Sequence, residues 1–111
     1  MTTRTEAVAY CLSLPGAYED HPFRDQNWTA MRRRDCGRTF AFLFERGGRL
    51  WMNVKCAPEL NGFWRSQYAA VRPAYHMNKE HWISVVLDGT VPDAELHMLV
   101  GDSYRLVGGA K

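Results

Sequence analysis

Between positions 72 and 89 the chain reads R-P-A-Y-H-M-N-K-E-H-W-I-S-V-V-L-D-G. Tyr75, His76, Asn78, Lys79, His81 and Trp82 crowd into eight positions of it. Aromatic faces stack on planar groups, amide and imidazole nitrogens donate and accept hydrogen bonds, and an ammonium neutralises an anion. Pro73 and the polar run after it predict a loop, and loops held by a rigid sheet are where binding groups concentrate. Two chemistries suit it. One is a ligand pocket, for a small molecule or a protein partner, made by Tyr75, His76, His81 and Trp82. The other is a nucleic-acid surface to which Asn78, Lys79 and Trp82 contribute. Against both stands a plainer role, in which Tyr75 and His81 are hydrogen-bonders that hold the loop.

Metal and covalent chemistry find less support. His21, His76, His81 and His97, with Cys11, Cys36 and Cys56, show no H-x-x-x-H, H-E-x-x-H or C-x-x-C spacing. No metal and no cofactor are expected. Cys36 lies near Arg34 and Arg38, cations that favour a thiolate, but the sequence supplies no oriented base for it. There is no G-x-G-x-x-G, P-loop or G-x-S-x-G. The expectation is a non-enzymatic protein. Three scattered cysteines and an N-terminus without an apolar h-region point to a reducing, cytoplasmic setting, and no apolar run is long enough for a membrane span.

The net charge of +2 is small, but its distribution is uneven. Residues 24–72 hold ten basic and four acidic side chains, while both flanking segments are net acidic. A basic surplus of this kind is the footprint of a polyanion partner, or alternatively the charged edge of a sheet. Arg32, Arg33 and Arg34 precede one expected hairpin turn, and Arg46 and Arg49 flank another. Trp51, Asn53 and Lys55 alternate along one strand face. These eight, with Asn78, Lys79 and Trp82, form the candidate nucleic-acid-binding set, to which DNA is the first candidate partner.

The elements that must position these residues follow from periodicity. The 111 residues make one domain, 1–111. Thr3-x-x-Glu6 is a capping box that opens a helix over 4–14. Residues 17–26 read as irregular. Strands are expected over 27–34, 39–45 and 50–55, joined by D-C-G-R and R-G-G-R turns. In the second of them Phe40, Phe42 and Phe44 share a face. A helix follows over 58–68 with Phe63 and Trp64 in the core. An edge strand carrying Pro73 comes next at 71–75, then a strand at 81–87. A final helix opens at Pro92, with a stripe from Leu96 to Val107, and stops at Gly108-Gly109. The order α-β-β-β-α-β-β-α predicts an α+β two-layer sandwich: an antiparallel sheet of about five strands, helices on one face, the other face partly open.

L-S-L-P-G-A-Y-E-D at 12–20, W-M-N-V-K-C-A-P-E-L at 51–60, P-A-Y-H-M-N-K-E-H-W at 73–82 and D-S-Y-R-L-V at 102–107 resemble the MmcQ/YjbR family. The resemblance implies a fold similar to CyaY, a frataxin-like protein, with a double-wing arrangement and DNA binding. On motif positions it reaches Asn53, Lys55, Tyr75, Asn78, Lys79, His81 and Trp82. A frataxin-like shape raises iron as a rival ligand. Frataxins use an acidic first helix, however, and here the first helix carries only Glu6. A hard cation needs clustered carboxylates, so iron is rejected.

Overall fold

The computed structural model describes residues 1–108. Helix α1, Arg4–Leu12, begins at the expected box: the Glu6 N–H donates to Thr3 Oγ1 at 3.1 Å, and Glu6 Oε1 accepts from the Thr3 N–H. Then come β1 (Ala17–Asp20), β2 (Thr29–Arg33), β3 (Thr39–Arg46) and β4 (Arg49–Lys55), followed by α2 (Pro58–Gln67), β5 (Val71–Pro73), β6 (Trp82–Val86) and α3 (Asp93–Val107). The six strands form one antiparallel sheet in the order β1-β2-β3-β4-β6-β5. The protein is therefore α+β, as the patterning predicts. The stop at Gly109 falls outside the described residues.

β1 corrects the reading of 17–26 as irregular. The A-Y-E-D segment shows no apolar alternation because it is an edge strand, paired on one side only, from Ala17↔Arg33 to Asp20↔Ala30. Its Asp20 carboxylate accepts from Arg32 Nε at 2.8 Å. Charged side chains are tolerated at such an edge, and there they discourage intermolecular pairing. At the opposite edge, β5 carries Pro73 where its missing N–H is harmless.

Helices α1 and α3 pack on one face, α1 against β1 and β2 and α3 against β3 and β4, while α2 packs on β5. The faces alternate as expected along β4: Met52 and Val54 point to the helices, Trp51 and Asn53 away from them. β3 breaks the pattern. Met31 pairs with Ala41 but Arg32 pairs with Thr39, so Phe40 is an extra, unpaired residue. This bulge turns Phe40 to the helix side, edge-on to Tyr104 of α3 with ring centroids 5.4 Å apart. Phe42 and Phe44 stay on the second face, so the three phenylalanines do not share one. Phe63 also departs from expectation: it is 52% exposed, while Trp64 beside it is buried.

The bulge frees a carbonyl, and one hydroxyl uses it. Ser103 of α3, fully buried, donates to the Phe40 carbonyl at 2.6 Å and accepts from the Lys55 N–H at 2.8 Å. It thus sits between β3 and β4 just past their last pair, Ala41↔Val54. Replacing Ser103 with Ala strands two buried backbone groups, each worth about 1–3 kcal/mol when unpaired. Ser103→Ala should lower unfolding free energy by about 2 kcal/mol or more, read from the denaturant midpoint at unchanged slope. A loss near zero would show that the hydroxyl is not bridging the strands.

Candidate functional site

The loop after β5 covers the sheet's second face over β4 and β6. Asn53 and Ser84 lie opposite one another on β4 and β6, both fully buried. The Ser84 hydroxyl donates to Asn53 Oδ1, the Tyr75 N–H donates to Ser84 Oγ at 2.8 Å, and Asn53 Nδ2 donates to the Tyr75 carbonyl at 3.0 Å. Three residues therefore close a ring of hydrogen bonds that pins the 74–81 loop onto the sheet. Other contacts finish the loop. Lys79 Nζ donates to the Ala74 carbonyl at 2.9 Å, and Asn78 Oδ1 accepts from the Glu80 and His81 N–H groups. From α2, buried Asn61 donates through Nδ2 to the carbonyls of Lys79, Glu80 and Trp82 and accepts from Arg65 Nε at 2.7 Å.

These bonds revise the predicted surface. Asn53 is buried in the ring and presents nothing to a ligand, whereas Asn78 and Lys79 brace the loop while remaining exposed. Trp51 is 7% exposed, its Nε1 donating to the Arg46 carbonyl at 3.1 Å, so its face is not a free stacking platform. Trp82 is half-buried against Phe42, centroids 6.0 Å apart. Lys55, half-buried at the end of β4, pairs with Trp82 and also borders a separate cavity between α2 and α3.

The basic hairpins do not converge either. They lie at opposite ends of β3, whose eight residues make seven steps of about 3.3 Å, a separation of about 23 Å. At the first, Arg32 pairs with Asp20. Arg33 donates to the Tyr104 carbonyl at 2.9 Å, lies 4.1 Å over the Tyr104 ring, and pairs with Asp35 at 2.6 Å. That guanidinium holds the Asp35 carboxyl below its usual range. Arg34 lies over Tyr18 at 4.9 Å. These side chains bind the first hairpin to β1 and to the C-terminal turn of α3. At the other end Arg49 is exposed and only 4.0 Å from Asp88, and Arg46 forms no ion pair among the described residues.

Around Arg46 the structure builds a site that sequence reasoning largely missed. The guanidinium lies 4.3 Å over the Tyr75 ring and 5.6 Å from that of Trp51, which Arg72 approaches to 5.9 Å from its own strand. Beside it runs a slot between the 23–28 segment and the loop. Phe42 floors it, and Phe23, Trp28, His76 and Met77 wall a hollow of about 300 Å³. A more polar hollow of about 220 Å³ continues it past Asn27 and Tyr75 to Arg46, with Asp25, Trp28 and His76 common to both. Trp28 stacks on Phe44 at 4.2 Å, and Phe23 is half exposed. His76 has φ +62°, a left-handed conformation that is uncommon outside glycine and clusters at ligand-binding loops. The predicted pocket of Tyr75, His76, His81 and Trp82 is therefore divided. Tyr75 and His76 line the slot, while His81 opens onto another hollow beside Asn61 and Arg65.

Phe23 and Asp25 gave no signal because 17–26 shows no periodicity. Asn61 had one: a polar residue between Leu60 and Trp64 on the inward stripe of α2 must satisfy its amide somewhere. Among the described residues no group of three or more His, Cys, Asp or Glu side chains is placed to hold a metal, and no helix is long and apolar enough to cross a membrane. Burial pushes the Cys11 thiol up to about 12. The Cys56 thiol is also raised, by burial and then by the Asp102 and Glu59 carboxylates. Cys36 is exposed, its thiol donating to the Val107 carbonyl at 3.7 Å.

Comparison with known proteins places this architecture among relatives. The YjbR family model matches residues 12–106. The uncharacterised Escherichia coli K12 protein YjbR is 38% identical over 103 residues, covering 93% of this chain and 85% of its own. Bacillus subtilis YyaQ, also uncharacterised, is 44% identical over 55 residues, half of this chain and 46% of its own. The crystal structure of the Deinococcus radiodurans protein DR2400, with a DUF419 domain, superposes with a TM-score of 0.87 at 33% identity, over 96% of this chain and 79% of that one. A Pseudomonas syringae protein gives 0.85 at 31% identity, over 94% and 97%.

Two outcomes follow from the geometry. Ser84→Ala removes the hydroxyl from the ring and should destabilise the fold by about 1–3 kcal/mol. It should also speed hydrogen exchange at the Tyr75 amide well beyond that of the β3–β4 ladder; uniform exchange would mean that the ring does not hold the loop. At pH 8 a thiol reagent should modify one cysteine of three promptly, Cys36, with Cys11 and Cys56 following only on unfolding. Peptide mapping after a timed reaction reads this directly.

Proposed function

The chain belongs to the YjbR family, and on that footing we propose that it is a non-enzymatic nucleic-acid-binding domain whose contact surface is the aromatic slot and the arginines at its end. The observation that carries this is the Arg46 guanidinium lying 4.3 Å over Tyr75 at the mouth of a slot floored by Phe42. A guanidinium stacked on a ring keeps its N–H edge for phosphate oxygens. The slot walls offer a base the stacking worth about 1–3 kcal/mol per base in single-strand binders. Arg49 and Arg72 add positive charge at the same end of the sheet. Asp25 and Glu45 also line the polar hollow, so the phosphates belong on the Arg46–Arg72 side and the base in the apolar part. An unstacked base fits such a slot and a base inside a duplex does not, which favours single strands.

A second reading rests on the left-handed His76: the loop presents a pocket to a small metabolite or a protein partner, without polyanion affinity. A fluorescence-anisotropy titration with single-stranded and duplex DNA, at about 50 and about 200 mM salt, separates the two. Nucleic-acid binding predicts tighter association with the single strand and a marked loss of affinity at the higher salt. Arg46→Ala should reduce the log–log salt slope by about 0.7, the value of one phosphate contact on a single strand. Phe23→Ala should weaken binding with the slope unchanged. Arg33→Ala should affect stability alone. Salt-insensitive or absent binding, or a slope indifferent to Arg46, would remove this reading and leave the second.

A further inference from the structure

An acidic residue stands among the rings of the slot. Asp25 borders both hollows, the apolar one with Phe23, Trp28 and Phe42 and the polar one that runs on to Arg46. Hydrogen bonds fix the turn around it. Asp25 Oδ1 accepts from the Asn27 N–H at 2.9 Å, and the Asp25 carbonyl accepts from the Trp28 N–H at 3.3 Å. Asn27 is tied in turn to β3, its Nδ2 donating to the Glu45 carbonyl and its Oδ1 accepting from the Glu45 N–H. One carboxylate oxygen is thereby held on the turn that carries Trp28. Asp25 is exposed, and among the described residues it forms no ion pair and its Oδ2 accepts no hydrogen bond. A carboxylate only accepts, with lone pairs to spare on both oxygens. Stacking rings alone are indifferent to the base, because every base has a π-face. An acceptor beside them is not.

We propose that the slot selects guanine, with the Asp25 carboxylate accepting from N1–H and N2–H of a base stacked on its rings. The inference rests on the nucleic-acid reading above and names the base that the slot takes. Unstacked bases in single strands are read on their Watson–Crick edges. On that edge guanine alone sets two donors side by side, matching the two oxygens of a carboxylate. Adenine and cytosine each place a ring-nitrogen lone pair beside the amino group, and thymine flanks its one N–H with two carbonyls. All three set a lone pair against the carboxylate. Arg46, at the end of the polar hollow, is left for a phosphate. Glu45 borders only the polar hollow, so Asp25 is the carboxylate assigned to the base.

Anisotropy titrations of the full chain with short oligothymidylates test this, one unmodified and others with a single central guanine, adenine or cytosine, all at one salt concentration. The guanine strand should bind at least about fivefold tighter than the rest, the low end for one bidentate base contact. Hypoxanthine, which lacks the N2 amine, should lose most of that preference in place of guanine. 7-Deazaguanine, which keeps the N1 and N2 donors, should retain it. Asp25→Asn preserves the turn, since its Oδ1 still accepts from the Asn27 N–H. Its lost charge raises affinity for every strand alike, so the readout is the ratio between strands, which should fall to within about twofold. Glu45→Gln should leave the ratio unchanged. Equal affinity for the four bases, preference for a base other than guanine, or a guanine preference that survives Asp25→Asn or disappears in Glu45→Gln overturns the inference and leaves the nucleic-acid reading standing. Failure of every strand to bind removes that reading, and the inference with it.

Discussion

A buried pair of polar side chains governs the functional face of this protein. Asn53 and Ser84 sit side by side on the two central-to-edge strands β4 and β6, both without solvent access. Buried amides and hydroxyls must be hydrogen-bonded, because an unpaired one carries its full desolvation penalty. Each finds the other, and the remaining donor and acceptor are met by the backbone of Tyr75. The loop therefore has to lie across the sheet. Everything on that face follows: Trp51 is covered, Tyr75 is laid under Arg46, and the space left between the loop and the 23–28 segment becomes the slot.

The same logic of satisfaction explains where the basic residues went. The last carbonyls of a helix lack intrahelical partners. Arg33 donates to the Tyr104 carbonyl and Arg38 to that of Val107 at 3.4 Å, so two arginines of the first hairpin cap α3. Arg4 similarly joins α1 to the sheet, donating to Thr29 Oγ1, the Leu43 carbonyl and Asn27 Oδ1. Charge density along the chain thus overstated the cationic surface. Planar guanidinium groups with several donors serve as internal stitching as readily as they serve phosphates. Beside Tyr75 and Trp51, Arg46 and Arg72 have no carboxylate partner among the described residues, far fewer cations than the sequence offered there.

Local signals were legible and long-range ones were not. The capping box, the Gly47-Gly48 turn with both residues at positive φ, and the stripe from Leu96 to Val107 each depend on residues within a turn or two of one another. β1 was invisible because an edge strand carrying Glu19 and Asp20 has no apolar period to display. The bulge at Phe40 was invisible because an F-x-F-x-F alternation reads the same with or without it. Its cause lies about sixty residues away, in Ser103 and Tyr104. At the candidate site, the 72–89 segment was correctly singled out as chemically rich. Its partners Phe23, Trp28 and Arg46 come from two other parts of the chain.

By itself, the sequence determined the types of every element but β1, the alternation of faces along β4 and β6, and the membership of a family of α+β proteins. All of these are written in side-chain period and in motifs of ten residues or fewer. Only the tertiary structure decided which polar groups look inward. Asn53, Asn61 and Ser84 have the same composition as surface residues, and Arg32 and Arg33 the same as a binding patch. Whether such groups meet water or another segment is set by what packs over them. That depends on contacts between positions tens of residues apart, which no local pattern encodes.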